Sequence, residues 1–375
     1  MPRIKTLIVL PTNSCNFRCA HCGVIKSSEK KFIPLDALEK IIIEAKRNGA
    51  KILGITGGGE PLLDFGKTVE IVKLAKRNGM KASLNTNGYF IANPDPENAI
   101  RKLKDLDSIF FSIDSDHLKF IPYPQILKAI KAALNSNIKI YIKTVDRKSN
   151  RHSNSLLLKK LAKDLHGKTI RLTPIIEYSK IIAMSLRLFF SQKPICLIRF
   201  DIHRTDANEN IEDFRAQKLK EILFDKCPWY KRVRPTVNSN LDIVPCCSFA
   251  AVNNPKLYLL ENIFKNKFEV TNPILKSIFF DDLAFMKIFL RIRKDKNLLN
   301  SFLKENYCSP CELCLKIMKH KKEIEKIEPP TSYEIFNFAL MNFFSLFSHY
   351  LNFVLEKIFD VIYLIVELPF LLTRK

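Results

Sequence analysis

The amino-acid sequence lacks features that mark several common classes of protein. It opens Met1-Pro-Arg-Ile-Lys5 without an apolar signal-peptide core, so we expect a cytoplasmic protein whose thiols stay reduced. It has no helix-turn-helix, zinc-finger or RNA-binding-sheet signature, so we expect no nucleic-acid partner. Ten cysteines are nevertheless present among 375 residues. In a reducing compartment such cysteines favour metal sites over disulfides.

Acidic residues are few relative to basic ones. The chain has 61 Lys and Arg against 38 Asp and Glu, a formal net charge of +23. The basic residues are spread along helical stretches such as 40–47 and 316–326. A solvated basic surface is the favoured interpretation. Attraction to anionic lipid headgroups or to a phosphorylated substrate are the functional alternatives.

Residues 1–175 alternate short apolar runs with amphipathic stretches at a period near 30 residues. The pentapeptide Ala-Lys-Arg-Asn-Gly ends two predicted helices, at Gly49 and Gly79. Each copy marks the end of the helix in one βα module, so the repeat indicates successive modules of the same kind. Six modules predict an α/β fold with a partial (β/α)6 TIM-like barrel, whose chemistry collects where the strands end. The predicted strands are 6–10, 51–56, 80–84, 108–113, 138–145 and 168–173, and the predicted helices are 35–48, 66–78, 96–105, 122–136 and 154–166.

Three cysteines follow the first predicted strand at C-x3-C-x2-C spacing: Cys15, Cys19 and Cys22. A 4Fe–4S cluster has four iron corners, so three thiolates leave one iron open for another ligand. Structural zinc usually takes four protein ligands, and a disulfide knot is disfavoured in the cytosol. The spacing therefore favours an iron–sulfur site and leaves zinc as the alternative.

Polar groups also follow the next three strands. The second strand runs into Thr56-Gly-Gly-Gly-Glu60-Pro, where glycines allow a ligand to approach the backbone and Glu60 offers a carboxylate to an ammonium group. The third ends in Asn85-Thr-Asn-Gly and the fourth in Ser112-Ile-Asp114. Each could be an ordinary turn, but together around one rim they predict a site.

With these motifs the chain resembles the radical S-adenosylmethionine (SAM) enzymes over residues 3–175. The resemblance implies that Cys15, Cys19 and Cys22 bind a 4Fe–4S cluster whose open iron is chelated by SAM. It implies reductive cleavage of SAM to a 5′-deoxyadenosyl radical that abstracts a hydrogen from the substrate, with ferredoxin or flavodoxin as electron donor and no general base for that step. The cofactor-binding residues that it implies are His21, Gly58, Gly59, Glu60, Asn87, Ser112 and Asp114.

Six further cysteines lie between residues 227 and 314 and resemble the auxiliary-cluster extension called SPASM, or its shorter twitch relative. The resemblance implies one further 4Fe–4S cluster, with zinc or plain buried thiols as alternatives. One departure is Leu241, where the family usually has glycine. A lone cysteine, Cys196, is expected to pack in the core. The favoured cluster ligands are Cys227, Cys246, Cys311 and Cys314, with Cys247 and Cys308 as substitutes.

The C-terminal tail is apolar: residues 335–355 contain no Asp, Glu, Lys or Arg. Its length reaches that of a bilayer span, but its Asn, Ser and His residues and the nearby charges weaken that interpretation. Peripheral association with an anionic cytoplasmic membrane face is favoured. A helical hairpin packed on the protein comes second, and a true span last.

The sequence thus predicts three parts: a radical SAM core barrel (1–205), a small Cys-rich α+β auxiliary-cluster domain (220–325) and a hydrophobic helical tail (333–375). The leading hypothesis for the substrate is a peptide or protein side chain. The alternative is a membrane lipid or isoprenoid-type substrate. A non-enzymatic iron–sulfur electron carrier or scaffold would bind iron without forming 5′-deoxyadenosine from SAM.

Overall fold

The computed structural model describes one largely parallel sheet with helices, an α/β fold as expected. Nine strands lie in the order β6-β7-β5-β4-β3-β2-β1-β8-β9. All neighbouring strands pair in parallel except β8 and β9. The described residues are 4–24, 31–146, 150–165, 170–174, 195–201, 234–247, 249–258, 273–281, 284–304 and 310–335.

The first six strands coincide with the six apolar runs. Along β3 and β4 every second side chain is buried. This is the pattern of a pleated strand, whose successive side chains point to opposite faces of the sheet. The strands are β1 Thr6–Val9, β2 Ile52–Ile55, β3 Lys81–Thr86, β4 Ser108–Ser112, β5 Lys139–Asp146, β6 Ile170–Pro174, β7 Ile195–Asp201, β8 Thr236–Val237 and β9 Ile243–Val244.

Helices follow the core strands at the predicted places, and further helices follow β9. The first six are α1 Leu35–Arg47, α2 Phe65–Arg77, α3 Tyr89–Ala92, α4 Pro96–Lys102, α5 Tyr123–Leu134 and α6 Arg151–Asp164. The later ones are α7 Phe249–Asn253, α8 Pro255–Tyr258, α9 Pro273–Phe280, α10 Ala284–Ile292, α11 Lys296–Leu303, α12 Pro310–Lys319 and α13 Lys321–Lys326.

The repeated pentapeptide forms the same helix ending twice. Gly49 and Gly79 adopt positive φ angles of 97° and 62°, a backbone conformation that glycine adopts without a Cβ penalty. The preceding asparagines, Asn48 and Asn78, donate side-chain hydrogen bonds to the carbonyl oxygens four residues back, at 2.9 and 2.8 Å. Each ending turns the chain directly into the next parallel strand, which confirms the predicted βα module.

The strand order differs from a simple succession of six modules. β7 lies between β5 and β6 and pairs in parallel with both. Cys196, expected in the core, lies on β7 opposite Tyr141 of β5. The apolar run that forms β7 has the composition of a buried strand. Its position between two earlier strands depends on long-range pairing that no local pattern reveals.

The residues after 233 extend the sheet beside β1. β8 pairs with β1, with the amides of Ile8 and Leu10 donating to the carbonyl oxygens of Pro235 and Val237 at 2.8 Å each. β8 and β9 then form a short antiparallel hairpin. The hairpin that precedes the Cys246-Cys247 pair therefore lies against the strand that leads into Cys15, Cys19 and Cys22.

Within the described ranges, no helix is long and apolar enough to cross a membrane. Residues 336–375, which contain most of the apolar tail, lie outside the described part of the chain. The three interpretations of the tail remain predictions.

Candidate functional site

The candidate site forms where β1, β2, β3 and β4 end. These strands are consecutive neighbours in the sheet and all parallel, so the segments that follow them share one edge. The sequence motifs fall on those segments: the cysteine triad after β1, the glycine loop after β2, Asn87 after β3 and Asp114 after β4. The topology thus brings together the four motifs that the sequence predicted at one rim.

The three cysteines lie in one short loop and are half-buried. No disulfide joins the described cysteines. The amide of Phe17 donates to Cys15 Sγ at 3.4 Å, and the amide of Cys22 donates to the carbonyl oxygen of Cys19 at 3.0 Å. Phe17 is buried and anchors the loop in the core. Three cysteines on one short loop are a donor set suited to an iron–sulfur cluster.

The cysteine loop is hydrogen-bonded to the glycine loop through the backbone. The amide of Gly59 donates to the carbonyl oxygen of Thr12 at 2.6 Å, and the amide of Glu60 donates to that of Ser14 at 2.9 Å. These two bonds fix the start of the cysteine loop against the Gly57–Glu60 segment. The loops that carry the thiols and the glycines therefore form one rigid unit.

The glycines of this unit are required by space. A Cβ on Gly59 would lie 1.7 Å from the carbonyl oxygen of Ser14, and one on Gly58 would lie 2.4 Å from Asn13 Oδ1. Within the described part of the chain, Asn13 Oδ1 is a buried atom with no hydrogen-bond partner. A buried acceptor without a partner is costly, so a bound donor would be favoured here. The two glycines therefore let the loops pack against each other, and Asn13 Oδ1 is an acceptor to which a bound ammonium group could donate.

Glu60 connects the glycine loop to the end of β3. Its Oε1 accepts from Thr86 Oγ1 at 2.7 Å and from the amide of Leu62 at 3.2 Å, while Oε2 accepts from the amide of Asn87 at 2.9 Å. Burial raises the pKa of Glu60 above its ordinary value, although these hydrogen bonds oppose the rise. A cation placed nearby would offset the cost of burying this carboxylate.

The Asn87 side chain hydrogen-bonds to the cysteine loop. Its Nδ2 donates to Asn16 Oδ1 at 2.9 Å, and its Oδ1 accepts from the amide of Tyr89 at 3.0 Å. The side chain is buried. Asn87 is therefore part of the framework of the rim, in the place that the sequence predicted.

After β4, Asp114 is completely buried and organises the turn that follows. Its Oδ1 accepts from the amides of Asp116 and His117 at 3.0 Å each, and its Oδ2 accepts from His117 Nδ1 at 2.8 Å. Burial alone would raise the pKa of Asp114, but the charge of His117 and its hydrogen bond outweigh burial and lower it. For His117, burial lowers the pKa, but the charge of Asp114 raises it to about 10.

His21 lies beside this pair. Its Nδ1 is 3.3 Å from Asp116 Oδ2, and its ring centroid is 5.1 Å from that of His117. Asp116 also accepts from Lys119 Nζ at 3.0 Å. One ligand atom each from Cys19, His21 and His117 lie within 4.8 Å of one another. The imidazoles therefore face the cysteine loop.

The predicted contacts of His21, Asn87, Ser112 and Asp114 with SAM stay predictions. Ser112 is half-buried at the end of β4. The sequence interpretation overlooked four residues of this framework. The sequence Asp114-Ser-Asp-His directly after a predicted strand could have revealed two of them, because titratable groups at a strand end often belong to a site. The overlooked residues are Asn13, Thr86, Asp116 and His117.

Two of the later cysteines are buried in the same apolar cluster. Cys246 and Cys314 are 5% and 8% exposed. Burial raises the pKa of the Cys314 thiol to about 12, and the neighbouring Cys246 adds to the rise. Tyr258 Oη donates to Cys314 Sγ at 3.7 Å. Cys247 instead packs against a separate small apolar group around Ile8.

The remaining predicted ligands of this second site lie wholly or partly outside the described residues. Cys311 lies on α12 with Cys314, one helical turn earlier. Its side chain lies outside the described part of the chain, as do Cys227 and Cys308. The structure therefore brings together two of the four favoured ligands and leaves the other two as predictions.

Comparison with known proteins shows what the core is similar to. Residues 9–155 match the family model described as Radical SAM superfamily. A GTP 3′,8-cyclase from Campylobacter fetus is 27% identical over 185 residues, which are 47% of this chain and 57% of the relative. One from Campylobacter jejuni is 22% identical over 73% of this chain and 90% of the relative. The chain spans about half the length of the first curated relatives that it matches.

Solved structures resemble the chain at low sequence identity. Streptococcus suis SuiB bound to the precursor peptide SuiA has a TM-score of 0.48 and 17% identity, covering 76% of this chain and 66% of that one. The enzyme anSMEcpe, with bound AdoMet and a peptide, has a TM-score of 0.49 and 14% identity, covering 86% and 98%. The motifs and the family match show that residues 9–155 are similar to the radical SAM domain.

Proposed function

We propose that Cys15, Cys19 and Cys22 hold a 4Fe–4S cluster and that the Gly58–Glu60 loop holds SAM beside it. The observation that carries this proposal is the pair of backbone hydrogen bonds from Gly59 and Glu60 to Thr12 and Ser14. These bonds bring a three-thiol loop and a side-chain-free cradle side by side. SAM would have to contact both the open iron of the cluster and the glycine loop. The two loops must therefore lie close together.

The residues of the chain have positioning tasks in this function. When bound, the cluster and SAM supply one-electron cleavage of SAM and the hydrogen abstraction that follows. Glu60 holds the cradle in place through Thr86 and Asn87, and its buried carboxylate favours a nearby cation. Asn13 Oδ1 offers an acceptor to the ammonium of SAM. A ferredoxin or flavodoxin would supply the electron.

A second 4Fe–4S cluster is proposed at Cys246 and Cys314, with Cys227 and Cys311 as the other ligands. The support is the burial of both thiols in the same apolar cluster. A bound metal would stabilise these thiols as thiolates, whereas without a metal they would stay neutral. Zinc would satisfy the same thiols, so iron counting distinguishes the two metals.

For the substrate we propose a peptide or protein side chain in the cytoplasm. The support is the SPASM-like arrangement of the hairpin and Cys246 beside the core sheet. An auxiliary cluster near the core site would suit substrate coordination or removal of an electron from a substrate radical. A membrane lipid is the competing substrate, and its support is the apolar sequence of residues 335–355 beside a strongly basic chain.

Replacing Cys15, Cys19 and Cys22 with alanine together should remove one cluster and all SAM cleavage. After anaerobic reconstitution we expect about eight irons per wild-type chain and about four in the triple variant. With dithionite and SAM, only the wild type should form 5′-deoxyadenosine, measured by chromatography. Formation of 5′-deoxyadenosine by the triple variant would contradict the assignment of the core cluster.

Replacing Gly59 with alanine should weaken SAM binding without removing the cluster. The added Cβ meets the backbone oxygen of Ser14 and not a movable side chain, so the two loops must separate. Overpacking of this kind costs about 1–3 kcal/mol, which would correspond to roughly five- to 150-fold in affinity. The affinity is measured by equilibrium dialysis of SAM against reconstituted protein.

The matched control for Gly59→Ala is Gly66→Ala. Gly66 lies in α2, where the nearest contact of an added Cβ is Asp64 Oδ1 at an ordinary 3.8 Å. Its SAM affinity should equal that of the wild type. Equal affinities for Gly59→Ala and Gly66→Ala would argue against the glycine cradle as the SAM site.

The double variant Cys246→Ala/Cys314→Ala should lose the second cluster and keep the first. We expect the iron content to fall from about eight to about four per chain. Cleavage of SAM should persist, because the core ligands are unchanged. Cys247→Ala is the control, since Cys247 packs against the other apolar group, and it should keep all its iron. A wild type that contains only about four irons would overturn the second cluster.

The substrate proposal predicts turnover of a short peptide encoded beside the gene for this protein. Incubation of that peptide with reduced protein and SAM should remove hydrogen from a side chain, measured by mass spectrometry. The comparison is co-sedimentation with anionic phosphatidylserine vesicles, for full-length protein and for protein that lacks residues 333–375. Vesicle binding that needs the tail, together with an unmodified peptide, would favour the lipid substrate.

A further inference from the structure

His117 is held in one orientation by Asp114. It is the first residue of a short 3₁₀ helix, His117–Lys119, that follows the end of β4. Its backbone amide donates to Asp114 Oδ1 at 3.0 Å, and its ring Nδ1 lies 2.8 Å from Asp114 Oδ2. Because Asp114 is completely buried and also bonds to the amide of Asp116, the carboxylate cannot rotate freely. The imidazole therefore has a fixed direction.

The other edge of the ring faces the cysteine loop. The His117 side chain lies beside the side chain of Cys19. Ligand atoms of the two residues lie within 4.8 Å of each other. Since Nδ1 is engaged with the Asp114 carboxylate as a donor, Nε2 is the nitrogen left for the sulfur. A carboxylate, an imidazole and a thiol thus form a chain that ends at Cys19.

The surroundings of this contact are buried and combine aromatic rings with the paired polar groups described above. The ring centroid of His117 lies 6.3 Å from that of Phe17 and 5.1 Å from that of His21. Phe17 also stacks on Phe120, with centroids 5.1 Å apart. His117 is 8% exposed. Hydrogen bonds in such poorly hydrated surroundings act more strongly on their acceptor than they do in water.

We propose that His117 is a positioning residue whose Nε2–H donates a hydrogen bond to Cys19 Sγ and raises the reduction potential of the core cluster. The inference rests on the proposed role of Cys19 as a cluster ligand. A donor to a ligating sulfur withdraws electron density, which stabilises the reduced, more negative cluster over the oxidised one. Asp114 contributes through His117 by holding the ring.

The test is the midpoint potential of the cluster in three variants of the full chain. His117→Phe keeps a flat ring and removes both nitrogens, whereas His117→Gln keeps an N–H donor. His152→Phe makes the same exchange on the exposed surface of α6, away from the cysteine loop. Each reconstituted protein is titrated anaerobically and followed by electron paramagnetic resonance. The signal that changes when SAM is added reports the core cluster.

His117→Phe should lower the equilibrium constant for reduction about tenfold, which is about 59 mV for a one-electron couple. His117→Gln should lie nearer the wild type, and His152→Phe should equal it. The iron content should be unchanged in all three variants. A merely structural role of the His117 ring would leave the potential of His117→Phe at the wild-type value.

Two results would overturn the inference while leaving the core cluster in place. One is an unchanged potential in His117→Phe with full iron content. The other is loss of the core iron in both His117→Phe and His117→Gln, which would make His117 a ligand and not a donor to one. A wild type without a SAM-sensitive signal would instead overturn the proposed function on which the inference rests.

Discussion

The site depends on two backbone hydrogen bonds, from the amides of Gly59 and Glu60 to the carbonyl oxygens of Thr12 and Ser14. They join the loop after β1 to the loop after β2 at a separation that only glycine permits. Any side chain at position 59 would overlap the carbonyl oxygen of Ser14. The thiols that follow Ser14 therefore have their position set by a neighbouring strand as well as by their own.

From Glu60 the connections continue in a closed circuit. Its carboxylate reaches Thr86 and the amide of Asn87 after β3, and the Asn87 side chain returns to Asn16 between the first two cysteines. Each of these groups except Asn16 is buried. Loss of one partner would leave a buried polar group unpaired at a cost of about 1–3 kcal/mol. The circuit thus makes the rim rigid without help from a ligand.

The end of β4 adds a layer of paired charges behind the thiols. Asp114 pairs with His117, and Asp116 pairs with His21 and Lys119. Buried charges persist in proteins when they are paired and hydrogen-bonded, and pairing also fixes the direction of each ring. Cys19 therefore lies near two oriented imidazole rings, those of His21 and His117.

Much of the core could be predicted from the sequence because its signals are local. Apolar runs of the right length gave six strands, and a repeated helix ending gave the module. The spacing of Cys15, Cys19 and Cys22 and the glycine run before Glu60 predicted a site, and the structure places these motifs at one edge of the sheet. What could not be predicted is long-range: the insertion of β7 between β5 and β6, and the contact of Asn16 with Asn87 across 71 residues. His117 was overlooked because a three-residue helix has no periodicity.

Leu241 replaces the glycine that the SPASM pattern usually has before the hairpin cysteine. It stands where that pattern has glycine, and among the described residues it is the one non-glycine with a positive φ, 68°. A left-handed conformation costs an L-residue roughly 1–2 kcal/mol. The strain is offset locally, since the amide of Leu241 donates to the carbonyl oxygen of Asn238 at 3.0 Å.

The side chain of Asn238 also stabilises this turn. Its Oδ1 accepts from the amides of Asn240 and Asp242 at 2.9 and 3.0 Å, and its Nδ2 donates to Asp242 Oδ2 at 3.0 Å. The hairpin therefore keeps the turn that glycine would allow, although the residue type differs. Because β8 of that hairpin is bonded to β1, Cys246 is held at a fixed place relative to the strand that leads into the first three cysteines. The missing glycine consequently does not count against a second metal site beside the first.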